Sequence, residues 1–149
     1  MVEMIKKVKR TWYVPYHWCY GKAQTFFFQK MKEEKKIYGA RCSKCGKVVV
    51  PVAIFCTRCF APTDDWVQVE DEGVIHSFTI VNLPYPGQPA TPPYAYALIK
   101  LNGSDNLFMH MIGGVEHEKI EIHMKVKAVW SEERNGDFYD IQYFEPVSK

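Results

Sequence analysis

Four cysteines carry the clearest chemistry in this chain. Cys42-Ser43-Lys44-Cys45 and Cys56-Thr57-Arg58-Cys59 are two C-x-x-C pairs with ten residues between them. Each pair can offer two thiolates to one metal ion from a single tight turn, and the intervening residues fit a short β-hairpin. Four sulfurs around zinc complete a tetrahedron with no open position, so the ion is expected to be structural, not catalytic. Gly46 suits the sharp backbone turn after the first pair, which aims N–H groups at the sulfurs. Phe60 follows the second pair, and a less regular knuckle is expected there. Redox chemistry is the competing reading of a C-x-x-C pair, but it leaves the second pair idle. Iron is the competing metal, because a four-sulfur site accepts it. Cys19 stands apart among aromatic residues and reads as a small buried hydrophobe.

Little else has the spacing of an active site. The histidines are His17, His76, His110, His117 and His123. None has an evident Ser or Asp partner or a zinc-protease spacing, so each reads as a packed or surface residue. No phosphate loop or dinucleotide fingerprint occurs. No catalytic residue is assigned, and the chain is not expected to turn over substrate alone.

The elements that must position the cysteines follow from pattern. The chain has 149 residues, 47% hydrophobic and 15% aromatic, enough for a core. Residues 1–21 are basic and then aromatic: Lys6, Lys7, Lys9 and Arg10 precede Trp12, Tyr13, Tyr16, Trp18 and Tyr20. These rings must cover either the chain's own core or a partner protein. Residues 22–38 read as an amphipathic helix on Phe27, Phe28 and Met31, with Gly39 as its left-handed cap. Residues 63–72 read as a polar, acidic connector. Strands are expected at 74–81, 94–101, 106–112, 122–130 and 138–144, with turns at Asn102-Gly103 and Asn135-Gly136. Five short strands in roughly 75 residues suit a closed barrel of the OB type. The expected organisation is mainly β: an aromatic segment and helix over 1–39, a zinc ribbon over 40–62, and a five-stranded barrel over 63–149.

Charge and hydropathy narrow the class. The formal net charge is only +2, and few cations fall in the barrel half, which speaks against a nucleic-acid module. That module is nevertheless the rival class, because OB barrels and zinc ribbons both serve nucleic acids. No stretch approaches a membrane span, the opening residues lack the apolar run of a signal peptide, and paired cysteines fit a reducing compartment. A cytoplasmic protein is expected.

Several segments together resemble a family. Pro15 through Gly21 is similar to the opening aromatic segment of the thiolase-associated zinc ribbon plus OB-fold proteins, long described only as a domain of unknown function. Phe27-Phe28 through Gly39 resembles that family's helix, and Cys42 through Gly46 its first knuckle. Gly73 through Thr79 resembles its first barrel strand, Leu101 through Leu107 with His110 its central hairpin, and Met124 through Trp130 with Phe144-Glu145-Pro146 its closing strand and tail. The sequence departs from the family at Pro51-Val52-Ala53-Ile54, where Pro-Pro-Arg is common, and at His123, where glycine is usual. The resemblance implies a rubredoxin-like ribbon and a small subunit partnered with a thiolase-fold enzyme in a hetero-oligomer. The shared ligand would be coenzyme A or an acyl-CoA. Relatives accompany acetoacetyl-CoA thiolases with hydroxymethylglutaryl-CoA synthases, sterol side-chain aldolases and the benzoylsuccinyl-CoA thiolase of anaerobic toluene breakdown, and the aromatic N-terminus is most similar to the last. On that reading Trp12, Tyr13, Tyr16, Trp18 and Tyr20 dock the partner, and Arg41, Lys44 and Arg58 face the CoA phosphates.

Overall fold

The computed structural model describes residues 9–147; Lys6 and Lys7 lie outside the described residues. A strap without regular secondary structure over 9–20 leads into helix α1 (Gly21–Glu34). A three-stranded antiparallel sheet follows, with β1 (Ile37–Arg41) between β2 (Val48–Val49) and β3 (Asp65–Val69). The second half is a closed barrel of β4 (Glu72–Val81), β5 (Tyr94–Leu101), β6 (Phe108–Ile112), β7 (Lys125–Trp130) and β8 (Ile141–Pro146), ordered β4-β5-β6-β8-β7. The expected mainly β architecture, with one helix, a ribbon and a five-stranded OB barrel, is therefore present. The barrel closes through one parallel pair, Ile112 opposite Phe144. β4 lies between β5 and β7, with Gly73 and Val74 paired on both edges, and it carries a bulge at His76, the extra residue between paired Ile75 and Ser77.

Three local expectations are corrected. The helix ends at Glu34, and its left-handed cap is Lys35 (φ 55°), not Gly39. The Lys35 and Lys36 N–H groups return to the Met31 and Lys30 carbonyls, so the orphan acceptors are satisfied without glycine. Gly39 is instead a buried residue of β1, where a Cβ would lie 2.7 Å from the Val48 side chain; it permits the close approach of β1 and β2. The connector over 63–72 is mostly strand. Trp66, Val67 and Val69 pair along β1 and bury their flanks, which outweighs the acidic residues around them. The ribbon sheet thus draws on residues either side of 40–62.

Strand ends moved for identifiable reasons. Residues 138–140 form a 3-10 turn whose Tyr139 N–H is capped by the Asp137 carboxylate, so β8 begins at Ile141. β7 begins at Lys125 because His123 is left-handed (φ 70°), the conformation that suits the glycine usual in the resembled family.

Helix α1 lies between the two sheets. Phe26 packs against Trp66 (4.6 Å between centroids) and Tyr38 (5.1 Å) of the ribbon. Phe28 on the adjoining face meets Phe138 beside the barrel (5.1 Å). Phe27 and Met31 are completely buried, so the apolar stripe is wide enough to serve both neighbours. Arg134 adds a polar tie by donating from Nε to the Lys32 carbonyl at 2.6 Å.

The turn between β5 and β6 fastens the barrel to the ribbon directly. Asn106 acts as a short surrogate strand against buried Val50: its Oδ1 accepts from the Val50 N–H (2.8 Å) and its Nδ2 donates to the Val50 carbonyl (2.6 Å). Asp105 repeats the device beside it, accepting from the Val48 N–H (2.8 Å) and from Lys47 Nζ (2.6 Å). Asn106→Ala would strand both polar groups of Val50 and is expected to lower stability by about 2–3 kcal/mol in chemical denaturation. The Lys47 ammonium and then the Val48 N–H hold the Asp105 carboxyl below its ordinary pKa. Its contribution is therefore complete above the unfolded carboxylate pKa and is lost as pH falls through the lower folded value. Asp105→Asn should flatten that acid limb of the stability–pH curve, and an unchanged limb would disprove the assignment.

Candidate metal centre

The two knuckles are built by the same backbone device. In the first, the Gly46 N–H donates to the Cys42 carbonyl (2.8 Å) and the Cys42 N–H to the Lys47 carbonyl (2.9 Å). In the second, the Phe60 N–H donates to the Cys56 carbonyl (3.0 Å) and the Cys56 N–H to the Ala61 carbonyl (2.8 Å). The match extends to φ: Gly46 is at 71° and Phe60 at 54°. The expectation of a less regular second knuckle is thus corrected. The knuckle geometry is kept, and Phe60 is forced into the left-handed region that a bulky side chain disfavours.

This geometry converges the sulfurs. The Sγ atoms of Cys42, Cys45, Cys56 and Cys59 all lie within 4.8 Å of one another. Cys42 and Cys59 are 3.4 Å apart, Cys45 and Cys56 3.7 Å. A zinc–sulfur bond of about 2.3 Å in a tetrahedron requires sulfurs about 3.8 Å apart, so the cluster has the size of a zinc site. Cys42 and Cys56 are buried and Cys45 and Cys59 half-buried, which shields the centre without sealing it. Four thiolates on one ion leave no position for a substrate, and a bound metal would supply structure only.

The backbone stabilises charge on the sulfurs unequally. The Cys45 N–H foremost holds the Cys42 thiol below its ordinary range. The N–H groups of Cys59 and Arg58 bring Cys56 down to about 6. Cys59 goes the other way. The Ala61 N–H favours its thiolate, but the Cys42 sulfur, burial and the Cys56 and Cys45 sulfurs together push it up to about 12. Thiolates packed this closely repel one another, and a divalent cation is the charge that lets all four ionise.

The other expected site residues are dispersed around the ribbon. Arg41 directly precedes Cys42 and faces Asp65 at 3.8 Å, with both side chains about half exposed. Lys44 and Arg58 are exposed at matching positions of the two knuckles. Trp12, Tyr13, Tyr16 and Trp18 are between 70% and 89% exposed, and so do not cover the chain's own core. Only Tyr20 reaches the body, packing on Phe28 at 5.3 Å. Cys19 is exposed, which corrects its reading as a buried residue; the strap gives it no core to enter. His110 is buried with Nε2 3.1 Å from the Phe138 carbonyl, whereas His17, His76 and His123 are exposed. Pattern analysis missed the Asp105–Asn106 clasp, because side chains that mimic a strand leave no periodicity.

With this geometry in place, likeness to known proteins is informative. Residues 30–65 match the ChsH2 rubredoxin-like zinc ribbon domain, and residues 66–131 match the ChsH2 C-terminal OB-fold domain. The chain belongs to the ChsH2 zinc-ribbon and OB-fold family. It is 25% identical over 125 residues to a DUF35 domain-containing scaffold protein of Methanocaldococcus jannaschii, covering 80% of this chain and 88% of that one. It is 29% identical over 108 residues to a probable enoyl-CoA hydratase alpha subunit of Thermomonospora curvata, spanning 33% of that protein. Among solved structures, the Ltp2-ChsH2(DUF35) aldolase superposes with a TM-score of 0.64 at 23% identity, over 87% of this chain and 98% of that one; this likeness concerns the fold. A DUF35-family protein of Sulfolobus solfataricus, of unknown function, superposes with the same TM-score at 25% identity, over 85% of this chain and 87% of that one.

The centre is expected to hold one zinc ion per chain. Elemental analysis should find it, and Cys45→Ser should release it and loosen the ribbon while the far-ultraviolet signature of the barrel persists. Phe60→Gly should relieve the left-handed strain and stabilise the zinc-loaded protein by about 1 kcal/mol. A lower melting temperature for that variant would contradict the strain argument.

Proposed function

We propose that this chain is a non-catalytic scaffold subunit of an enzyme complex acting on acyl-CoA thioesters, with a thiolase-fold catalytic partner. The observation that carries the reading is the strap: Trp12, Tyr13, Tyr16 and Trp18 stand in solvent, and only Tyr20, the fifth ring, packs on the body. Each large ring can bury on the order of 150–250 Å². Together they supply an apolar area comparable to one side of a standard interface, roughly 800 Å². A second apolar group supports the same reading. Ile54, Phe55 and Phe60 are all more than half exposed on the hairpin that carries the second knuckle. Phe60 is held there despite its backbone strain, and strain that persists at a surface position commonly marks a binding role.

The relatives supply the class. One is named a scaffold protein, another a probable enoyl-CoA hydratase alpha subunit, and a structural neighbour is the Ltp2-ChsH2(DUF35) aldolase. Within this reading Arg41, Lys44 and Arg58 approach the CoA phosphates. A rigid knuckle presents a cation with little ordering entropy left to lose, and arginine can bond phosphate oxygens in pairs. A partner specialised for benzoylsuccinyl-CoA is the finest form of the proposal, supported by the aromatic character of the strap. Among the described residues no helix is long and apolar enough to cross a membrane.

Purification of the native complex and identification of its subunits tests this reading. A thiolase-fold protein should co-elute, and removing the strap aromatics (Trp12, Tyr13, Tyr16 and Trp18 to Ala) should abolish co-elution while zinc content is unchanged. Co-elution with nucleic acid in place of such an enzyme would refute the proposal. Converting Arg41, Lys44 and Arg58 to Gln should leave assembly intact and weaken CoA binding, most at low salt where surface charges are least screened. Unchanged CoA affinity in an intact complex would confine the chain to a stabilising role.

A further inference from the structure

A groove of about 350 Å³ opens where β6 and β8 part company, between the barrel and the edge of the ribbon. The two strands pair at one register position, Ile112 opposite Phe144, and ahead of it β6 faces the turn before β8, which it meets through His110 Nε2 and the Phe138 carbonyl. β6 forms one side, the turn that carries Phe138 and Tyr139 the other, and Val50 and Pro51 of the ribbon close the end. The volume lies within the range of small-molecule sites, though at its lower end.

The lining is specific in what it lacks. No lysine, arginine, aspartate or glutamate contributes to it. Burial, the largest influence on the His110 ring in the wall, lowers its pKa and so disfavours its charged form, outweighing the nearby Phe138 and Met111 backbone groups. Its Nδ1 has no partner among the described residues but is shielded from solvent, so it does not present itself to a visitor. Recognition therefore falls on ring faces and on two hydroxyls. Tyr96, Phe108, Phe138 and Tyr139 supply the rings, and Met109 and Met111 supply adaptable thioether surface. Tyr139 is 66% exposed and Met109 65%, an unusual investment of apolar surface at the mouth of a groove.

We propose that this groove is a binding site for a neutral, planar aromatic molecule of about two fused rings. Aromatic rings favour tilted or offset contacts with other rings, and Tyr96, Phe138 and Tyr139 can offer them, whereas Phe108 is buried in the core. The hydroxyls of Tyr96 and Tyr139 can each give or take one hydrogen bond at the ligand's edge. The absence of any lining cation disfavours a polynucleotide, whose backbone demands phosphate neutralisation. A charged headgroup is disfavoured for the same reason. This inference is independent of the scaffold reading, because the isolated chain carries the whole groove.

The test uses the full, zinc-loaded chain without partner or CoA. Titration with 2-naphthol, monitored by amide and methyl NMR, should shift Leu107 to Met111 together with Phe138 and Tyr139, with saturation. The charged analogue 2-naphthyl phosphate should bind roughly tenfold more weakly, since its dianion loses hydration to an uncharged groove. Tyr139→Ala, at an exposed position outside the barrel core, should weaken 2-naphthol roughly tenfold through loss of a ring contact and a hydroxyl. Saturable shifts confined to the groove and sensitive to Tyr139→Ala would support the site. Shifts elsewhere, equal or tighter binding of the phosphate, binding of a single-stranded oligonucleotide in the groove, or no saturation up to the solubility limit of 2-naphthol would each overturn it.

Discussion

Convergence of four sulfurs within a single coordination sphere is the constraint on which the ribbon depends. The segment from Arg41 to Thr63 has little core of its own. Its two knuckles are turns, its β2 is two residues long, and Phe55 and Pro62 make only an isolated bridge. Chain entropy would ordinarily defeat so small a unit. A tetrahedral ion would replace the missing core with four strong bonds, and the backbone N–H groups around Cys42 and Cys56 favour the thiolates it would require. The knuckle geometry is demanding enough that the chain keeps it at Phe60, where the residue type opposes it.

Once closed, the ribbon becomes an edge against which the rest of the chain is organised. β2 would be an open edge strand were it not covered by Asp105 and Asn106 from the barrel. The opposite strand, β3, pairs along the whole of β1 and then runs almost directly into β4. One short covalent connection and one side-chain clasp therefore hold ribbon and barrel together, and α1 seals the junction with Phe26 on one side and Phe28 on the other. Apart from Tyr20, the strap rings take no part in this packing, which leaves Trp12, Tyr13, Tyr16 and Trp18 available to something else.

Surface composition divides the molecule by task. The strap and ribbon expose both cations and large apolar side chains, whereas the lining of the groove beside β6 is apolar and carries no Lys, Arg, Asp or Glu. A rigid ribbon can present both kinds of group without large rearrangement, because the metal centre fixes its turns. The barrel supplies the platform, and the groove lies between β6 and the turn that leads into β8.

The sequence alone determined the metal ligands, because two C-x-x-C pairs encode their geometry locally, and it determined the barrel, because five β-rich runs separated by turns have few other solutions. It also marked Gly46 and the apolar stripe of α1, features set by near-neighbour spacing. Other features depended on tertiary structure. The Trp66–Val69 strand was hidden by its acidic flanks and exists because β1 offers an unpaired edge. The clasp of Asn106 on Val50 joins residues 56 apart in sequence through side-chain atoms, which no periodicity records. Whether Trp12 to Tyr20 cover the core was open in the sequence, since aromatic content is the same in either case. The fold decided it by filling the helix face with Phe26, Phe27 and Phe28 and leaving the strap outside, because each buried position can be occupied only once.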